Sequence, residues 1–542
     1  MEEEYSVSDP TLLLISASDF AFHPGFQSDS STKEFLDRFP LPVIINALQT
    51  KGDVPGLENA LVACLERIFK TKYGASLIPQ YMPFIVVGLG ADSQKVRCVA
   101  CKTVSCLLEN SDETTVSAAR LVIEYDVYPL LLKCLTDGDE QVAAAAMDAI
   151  RNFAGSAEGM DIIFPANTNE ATHLRNVAAG CSSLGRVRVL ALIVKLFSIS
   201  SSVATVVYNS NLLSPLEAEI SNVNDTLAAL SVLELFYELA EIQHSTEFLS
   251  RTTLLQLLST MISNASIGSI LRARAMMIIG RLMSKENVFM FIDESGAKTV
   301  ISAIDGRLGL LESQDADECE CALEALGQIG MTIQGATLLL SNSPPAARHV
   351  VDAAFDRHGH GKQLAALHAL GNIAGETRSE SNRMLNVDGE ENLRVLIYET
   401  VYLFFFSCLS VYIVQKIDQV VAAFPQGLFL SVLQQDSEIR LAGYRLIAGL
   451  TARPWCLMEI CSRQEIINIV TDAFTETTKI GMEARHNCCQ AIRKALMSSP
   501  KLASDPNLAG IAAKLEEAVR RGPYLARKHS EAQPAVMTAE RF

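Results

Sequence analysis

Along Gln141–Gly155 the apolar residues Val142, Ala146, Ala149, Ile150 and Phe153 recur at i, i+4, i+7, i+8 and i+11. That spacing draws one apolar stripe down a helix, and the small alanines on it let a neighbouring helix come close. Gly155 follows the stripe and suits the left-handed conformation that ends a helix. The segment carries no chemistry of its own, and its meaning comes from recurrence. Ala149-Ile150-Arg151-Asn152-Phe153-Ala154-Gly155 returns as Ala369-Leu370-Gly371-Asn372-Ile373-Ala374-Gly375, and more loosely as Ala325-Leu326-Gly327-Gln328-Ile329-Gly330. Weaker copies are Ile278–Leu282 and Leu235–Ala240.

With the Asn152 position as a register mark, its equivalents are Cys106, Leu196, Glu238, Arg281, Gln328 and Asn372, and later Ala448 and Lys494. Neighbouring marks stand 42–47 residues apart except across one gap, which is the period of armadillo and HEAT helical repeats. Turns such as Ala91-Asp92-Ser93, Asp137-Gly138-Asp139 and Gln435-Asp436-Ser437 precede most of these helices. Such clusters break one helix and cap the next. Two copies are armadillo-like and the others read as looser HEAT-like units. The fold expected is all-α, an armadillo/HEAT-type α-solenoid of stacked repeats running as one domain over residues 43–521. Its first stripe is Leu61, Cys64, Leu65 and Ile68. Residues 1–42, with an apolar burst at Leu12–Ile15 and a Gly/Ser/Asp stretch around Gly25–Ser31, are expected to form an irregular cap of one helix and a flexible loop. A helix stop at Gly522-Pro523-Tyr524 leaves 522–542 as a polar, disordered tail.

The exception is the interval from Asn372 to Ala448, 76 residues where one repeat takes about 45. Inside it lies the apolar run Val401–Val414 within an atypical insert at about 395–420. Its fourteen residues fall short of the roughly eighteen needed to cross a bilayer. Three readings stand: a buried extra helix, an interfacial segment, or a stretch foreign to the fold, translated from intron-like, pyrimidine-rich sequence.

Composition narrows the function. A solenoid grows one unit at a time, so 542 residues need no single large core. Hydrophobic residues at 49% with aromatics at 6% fit Leu/Ala/Val helix packing. A net charge of −17 argues against a nucleic-acid binder and leaves room for a basic protein partner. The thirteen cysteines sit at core-like helix positions and read as buried, reduced thiols of an intracellular protein. Cys98 and Cys101 have the Cys-x-x-Cys spacing without a second pair to complete a zinc site. The acidic start Met1-Glu2-Glu3-Glu4-Tyr5 is unlike a secretory signal. The localisation expected is cytoplasmic, with the nucleus as a second compartment.

No enzyme is expected. His349, His358, His360 and His368 cluster in sequence, but His358-Gly359-His360-Gly361 reads as a turn, and no pattern completes a metal site. Gly361-Lys362-Gln363 fails as a phosphate loop and Gly88-Leu89-Gly90 as a dinucleotide fingerprint. The pair Glu318/Glu320 reads as a solvated face, and no nucleophile elbow is visible. The expectation is therefore no catalytic residue, no cofactor and no metal.

What remains is surface. In armadillo and HEAT arrays the last helix of each repeat lines a groove. The candidate protein-binding positions are Arg151, Asn152, Glu238, Arg281, Gln328 and Asn372. Asn152 and Asn372 match the asparagine ladder that armadillo proteins use to hydrogen-bond an extended peptide. Only two of nine marks are Asn, and bonding between repeats is an equal reading of both. A mixed groove better suits a folded partner.

Four landmarks come in a recognisable order: Glu109-Asn110-Ser111-Asp112, Glu312-Ser313-Gln314-Asp315, Pro454-Trp455 and Gly522-Pro523-Tyr524. With the length and the repeats, they make the chain resemble the family of 26S proteasome non-ATPase regulatory subunit 5, the base-assembly chaperones. The Val401–Val414 block departs from that pattern. The resemblance implies a chaperone that binds the C-terminal domain of a proteasomal ATPase subunit, with its neighbour and a large base scaffold subunit attached. It implies release before the mature particle forms, a free protein that is monomeric, and no nucleic-acid or membrane partner. An armadillo-type scaffold or transport adaptor binding peptide segments is the alternative. The lone Trp455 argues against it.

Overall fold

The computed structural model describes residues 10–50, 54–110, 117–167, 170, 172–222, 225–310, 315–341, 343–411, 425–498 and 506–524. Among them every regular element is a helix and no strand forms. The chain packs as two compact units, Met1–Phe248 and Leu249–Phe542, where a single domain was expected. Each unit is a run of stacked helical repeats of armadillo/HEAT type, so the all-α solenoid expected from the repeat holds.

All nine register marks fall near the C-terminal end of a long helix. In the first unit the marked helices Gln94–Glu109, Glu140–Phe153, Ser183–Phe197 and Thr226–Glu241 pack each on the next. Leu57–Phe69 and then Pro10–Phe22 extend that series toward the N-terminus. In the second unit the series is Ser269–Met283, Ala316–Ile329, His360–Ile373, Ser437–Leu450 and Lys479–Ser498, closed by Pro506–Arg521. The turns start these helices as their composition predicts. The side chains of Ser93, Asp139, Asp225, Asp315 and Asp436 accept from the backbone N–H groups of Val96, Val142, Ala228, Glu318 and Ile439. Each cap supplies an acceptor to otherwise unpaired helix donors and contributes about 1 kcal/mol.

The small residues of the repeat decide how closely these helices approach. A Cβ on Gly327, one residue before the Gln328 mark, would lie 2.6 Å from Ala369 Cα. One on Gly280 would lie 2.8 Å from Ala325 Cα. Neither position tolerates a side chain, so the Gly-x and Ala-Leu elements of adjacent copies are two halves of one contact.

Residues 10–42 hold more regular structure than the one helix and loop expected there. Pro10–Phe22 and Asp29–Arg38 are helices, and Leu41–Thr50 begins immediately after. Leu13, Ala17, Phe20 and Ala21 form a buried stripe at i, i+4, i+7 and i+8, and the Phe20 and Phe35 rings meet at 4.6 Å. The polar residues among them hide that period when only the Leu12–Ile15 burst is read. At the other end Pro506–Arg521 stops at Gly522, whose φ is +81°. Most of the expected tail, from 525 onward, lies outside the described residues.

The interval after Asn372 holds the helices Val387–Val411 and Pro425–Leu433. Residues 395–400, placed in the expected insert, belong to the packed array. Leu396 and Ile397 are buried, Thr400 Oγ1 donates to Asp352 Oδ1 at 3.2 Å, and Tyr398 Oη donates to Glu459 Oε1 at 2.8 Å. Residues 401–411 continue the same helical backbone, and 412–424, the remainder of the insert and the end of Val401–Val414, lie outside the described residues. No described helix is long and apolar enough to cross a membrane.

Candidate protein-binding surface

The six candidate positions divide between the two units. Arg151, Asn152 and Glu238 belong to the first, on helices separated by Ser183–Phe197. Arg151 and Glu238 are exposed at the solvent face. Asn152 is half-buried, and its amide Nδ2 donates to Ser105 Oγ at 2.9 Å and to Glu109 Oε1 at 2.7 Å. Both protons of that amide are thus used against the preceding marked helix. The inter-repeat role describes Asn152, and only its Oδ1 remains for a ligand.

Arg281, Gln328 and Asn372 occupy the same register on three helices packed in succession in the second unit. All three are half-buried. Gln328 Oε1 is buried without a hydrogen-bond partner among the described residues, beside the space a Gly280 side chain would take. The Asn372 backbone carbonyl accepts from Arg378 Nη2 at 3.2 Å. Its side-chain amide has no hydrogen-bond partner among the described residues. Arg281 is engaged in an interaction of its own. In this row the Asn372 amide therefore keeps the N–H donors that Asn152 spends on its neighbour.

The reading of Glu318 as a solvated carboxylate is corrected. Glu318 is 1% exposed. Its Oε1 accepts from Arg272 Nε at 2.8 Å and from Arg307 Nε at 2.9 Å, and its Oε2 accepts from Arg272 Nη2 at 2.7 Å. Burial pushes its pKa up, but the two guanidiniums outweigh that and hold the carboxyl below its ordinary range. The triad ties Ser269–Met283, Glu294–Leu310 and Ala316–Ile329 together. Arg272 stands one repeat before Glu318, which is the signal that sequence carried for this contact.

Two further guanidiniums sit at helix C-termini, where unpaired carbonyls and the helix dipole favour a cation. Arg378 donates to the carbonyls of Gly330, Met331, Asn372 and Ile373. Burial, with the neighbouring Arg453 charge, lowers its pKa to about 10. Arg453, 0% exposed, reaches the carbonyls of Ala374 and Gly449 and pairs with both oxygens of Glu390 at 2.7 and 2.9 Å.

The histidines do not converge. His349, His358 and His360 meet Asp305, Asp356 and Asp436 respectively, and Gly359 between two of them lies in the turn expected there, at φ +98°. Cys98 lies against the carbonyl of Gln141 at 3.7 Å. Burial pushes the thiols of Cys64 and Cys461 up to about 12, far from the activated range a nucleophile needs. A groove of about 1620 Å³ between Leu254–Ser263 and Glu294–Leu310 is lined by hydroxyls, but Ser259, Thr260 and Thr299 donate back to their own helix carbonyls.

The family model described as proteasome non-ATPase 26S subunit matches residues 58–540, most of the chain. The protein belongs to that family. The match begins in the first turn of Leu57–Phe69 and takes in the repeats of both units. No curated protein matches the chain. Among solved structures, one engineered protein shares 15% identity at a TM-score of 0.41, over 83% of this chain and 98% of that one. A second engineered protein shares 15% identity at 0.34, over 52% and 97%. A third chain comes from work on a conserved phosphorylation switch controlling the interaction between cadherin and beta-catenin. It shares 9% identity at 0.32, over 89% and 99%. The fold of this family member rests on its own packing rather than on these distant likenesses.

Proposed function

We propose that this protein is an assembly chaperone of the base of the 26S proteasome regulatory particle. In this reading it binds the C-terminal domain of one ATPase subunit, together with a large base scaffold subunit, and leaves before the mature particle forms. It acts by binding alone, without catalysis, in the cytoplasm and the nucleus. Family membership over 58–540 is the observation that carries the reading. The stacked repeats and the net charge of −17 support it, since an acidic array offers a broad face to a basic folded partner. The contact is assigned to the row Arg281, Gln328 and Asn372, with Arg151 and Glu238 as first-unit positions.

One observation favours the peptide-adaptor alternative: the Asn372 side-chain amide has no partner among the described residues, as pairing with an extended backbone requires. The test is a tagged pull-down from native extract, resolved by native gel and mass spectrometry. Free ATPase subunits with a scaffold subunit, and no proteolytic core, are expected. Recovery of unrelated cargo with no proteasomal subunit overturns the chaperone reading in favour of the adaptor.

A further inference from the structure

In the first unit the helices Leu41–Thr50, Leu57–Phe69, Met82–Leu89 and Gln94–Glu109 enclose a cleft of about 350 Å³. Its floor is apolar: Leu65, Phe69, Ile85, Val99 and Ala100. At its mouth Phe84 and Val87 stand 43% and 57% exposed, and the Tyr81 ring lies 6.2 Å from that of Phe84. Small residues keep it open, because a Cβ on Gly88 would already stand 3.2 Å from Ala100 Cβ. The size is at the low end of the range for ligand pockets, roughly 300–1,000 Å³. It suits one or two inserted side chains, and a folded domain cannot enter it.

A second cleft of about 510 Å³ adjoins the first and shares Glu58 and Ser93 with it. Ser93 Oγ donates to Glu58 Oε1 at 3.0 Å across that boundary. This neighbour is acidic, with Glu58, Asp139 and Glu140 facing one ammonium, Lys95, which is held by Asn59 Oδ1. An apolar slot thus opens directly onto a site with an excess of carboxylate.

We propose that the two clefts form one bipartite docking site for a partner segment that carries an aromatic or aliphatic side chain beside a lysine or arginine. The apolar side chain fills the slot between the first two repeats, and the cation settles among Glu58, Asp139 and Glu140. The apolar insertion supplies most of the affinity. The carboxylates set which segment is chosen, since Asp139 and Glu140 are exposed and charge at a rim acts on selectivity more than on strength. The proposal goes beyond the chaperone reading and does not rest on it.

The test uses the full chain and fluorescein-labelled synthetic peptides of Gly and Ser containing Phe with Lys, Phe with Glu, or Lys alone, followed by fluorescence anisotropy. The Phe/Lys peptide is expected to bind roughly fivefold tighter than Phe/Glu, and Lys alone to bind weakest. Val87→Asp, at an exposed position, weakens the Phe/Lys peptide by about tenfold or more. Glu140→Lys abolishes the preference for Lys over Glu. Thermal melts monitored by circular dichroism confirm that both variants fold. Equal binding of Phe/Lys and Phe/Glu, indifference to Val87→Asp, or no saturation up to about 1 mM overturns the proposal. So does a self-association that Val87→Asp abolishes, since the occupant is then a second copy of the chain.

Discussion

Replacing Glu318 by Gln keeps the shape of the side chain and removes its charge. Two guanidiniums, each with a side chain 9% exposed, then face an amide inside the second unit. Three charge-assisted hydrogen bonds at 2.7–2.9 Å are lost or demoted. Taken singly, such bonds contribute about 1.5–3 kcal/mol each. The carboxylate also loses its own desolvation cost, so the sum is not the answer. Removing one partner of a buried pair costs about 3–5 kcal/mol, because the other is left uncompensated. Arg272 keeps its bond to the Ile267 carbonyl, which places the expectation toward the lower end, about 3–4 kcal/mol.

A chain of two units does not unfold in one step, so a single melting temperature is the wrong readout. Hydrogen–deuterium exchange resolved by peptide reports the local opening free energy. Protection in Ser269–Met283, Glu294–Leu310 and Ala316–Ile329 is expected to fall by two to three decades, at about 1.4 kcal/mol per decade. A fall of less than about tenfold in all three helices refutes the reasoning. Replacing all three members, with Arg272→Met, Arg307→Met and Glu318→Leu, restores protection toward wild type, since a packed apolar core can substitute for a buried ion triad. Acid gives an independent check. The folded carboxyl is held below its ordinary value of 4.5, so its contribution is fully present above that value and is lost as pH falls through the lower folded value. The wild-type advantage over Glu318→Gln is therefore constant at neutral pH and shrinks only below the ordinary value.

Arg453→Met orphans Glu390 and the carbonyls of Ala374 and Gly449. It is expected to cost about 3 kcal/mol or more, read as faster exchange in Val387–Thr400 and Ser437–Leu450, and unchanged exchange there refutes the clamp. Gly327→Leu drives a side chain into Ala369 and costs about 1–3 kcal/mol. Gly306→Ala, in open space inside a helix, adds about 0.5–1 kcal/mol, both measured by urea titration of the second unit. Asn152→Ala loses its bonds to Ser105 and Glu109 and about 1 kcal/mol of first-unit stability. Asn372→Ala leaves stability unchanged and reduces partner recovery in the native pull-down, and the reverse pattern sinks the assignment of the second-unit row.

The repeat was legible because one stripe is copied at a constant period, and the structure stacks the marked helices at that period within each unit. The individual roles were less so. Asn152 and Asn372 sit in near-identical heptapeptides, yet one amide is spent on Ser105 and Glu109 and the other has no such partners. The difference lies in the preceding copy, where Ser105 and Glu109 flank the Cys106 mark but Gly327 and Met331 hold the same places around Gln328. Glu318 misled for a related reason. It follows Asp315 and Asp317 in a turn-like acidic run, but as the third residue of its helix it points back to the core, where Arg272 and Arg307 wait on two other helices. Charge runs report solvent exposure on average, and a buried carboxylate inside one is identified only by its partners.

The long interval after Asn372 shows what spacing can and cannot decide. Counted along the chain, it breaks the period and marks residues about 395–420 as an insert. In space, the His360–Ile373 helix packs directly on Ser437–Leu450, as successive marked helices within each unit do. The extra length therefore lies outside the contact between these marked helices and leaves their stack unbroken. Arg453 explains how the register survives: one buried guanidinium binds the C-terminal carbonyls of both marked helices and the Glu390 carboxylate that opens Val387–Val411. Leu396, Ile397 and Thr400 are buried and Thr400 is hydrogen-bonded to Asp352, so this part of the interval belongs to the fold. Sequencing transcripts across the codons for Glu399–Gln415 decides whether the run Val401–Val414 does. Messages that all carry the run make it part of the protein, and messages that lack it show it to be foreign to the fold.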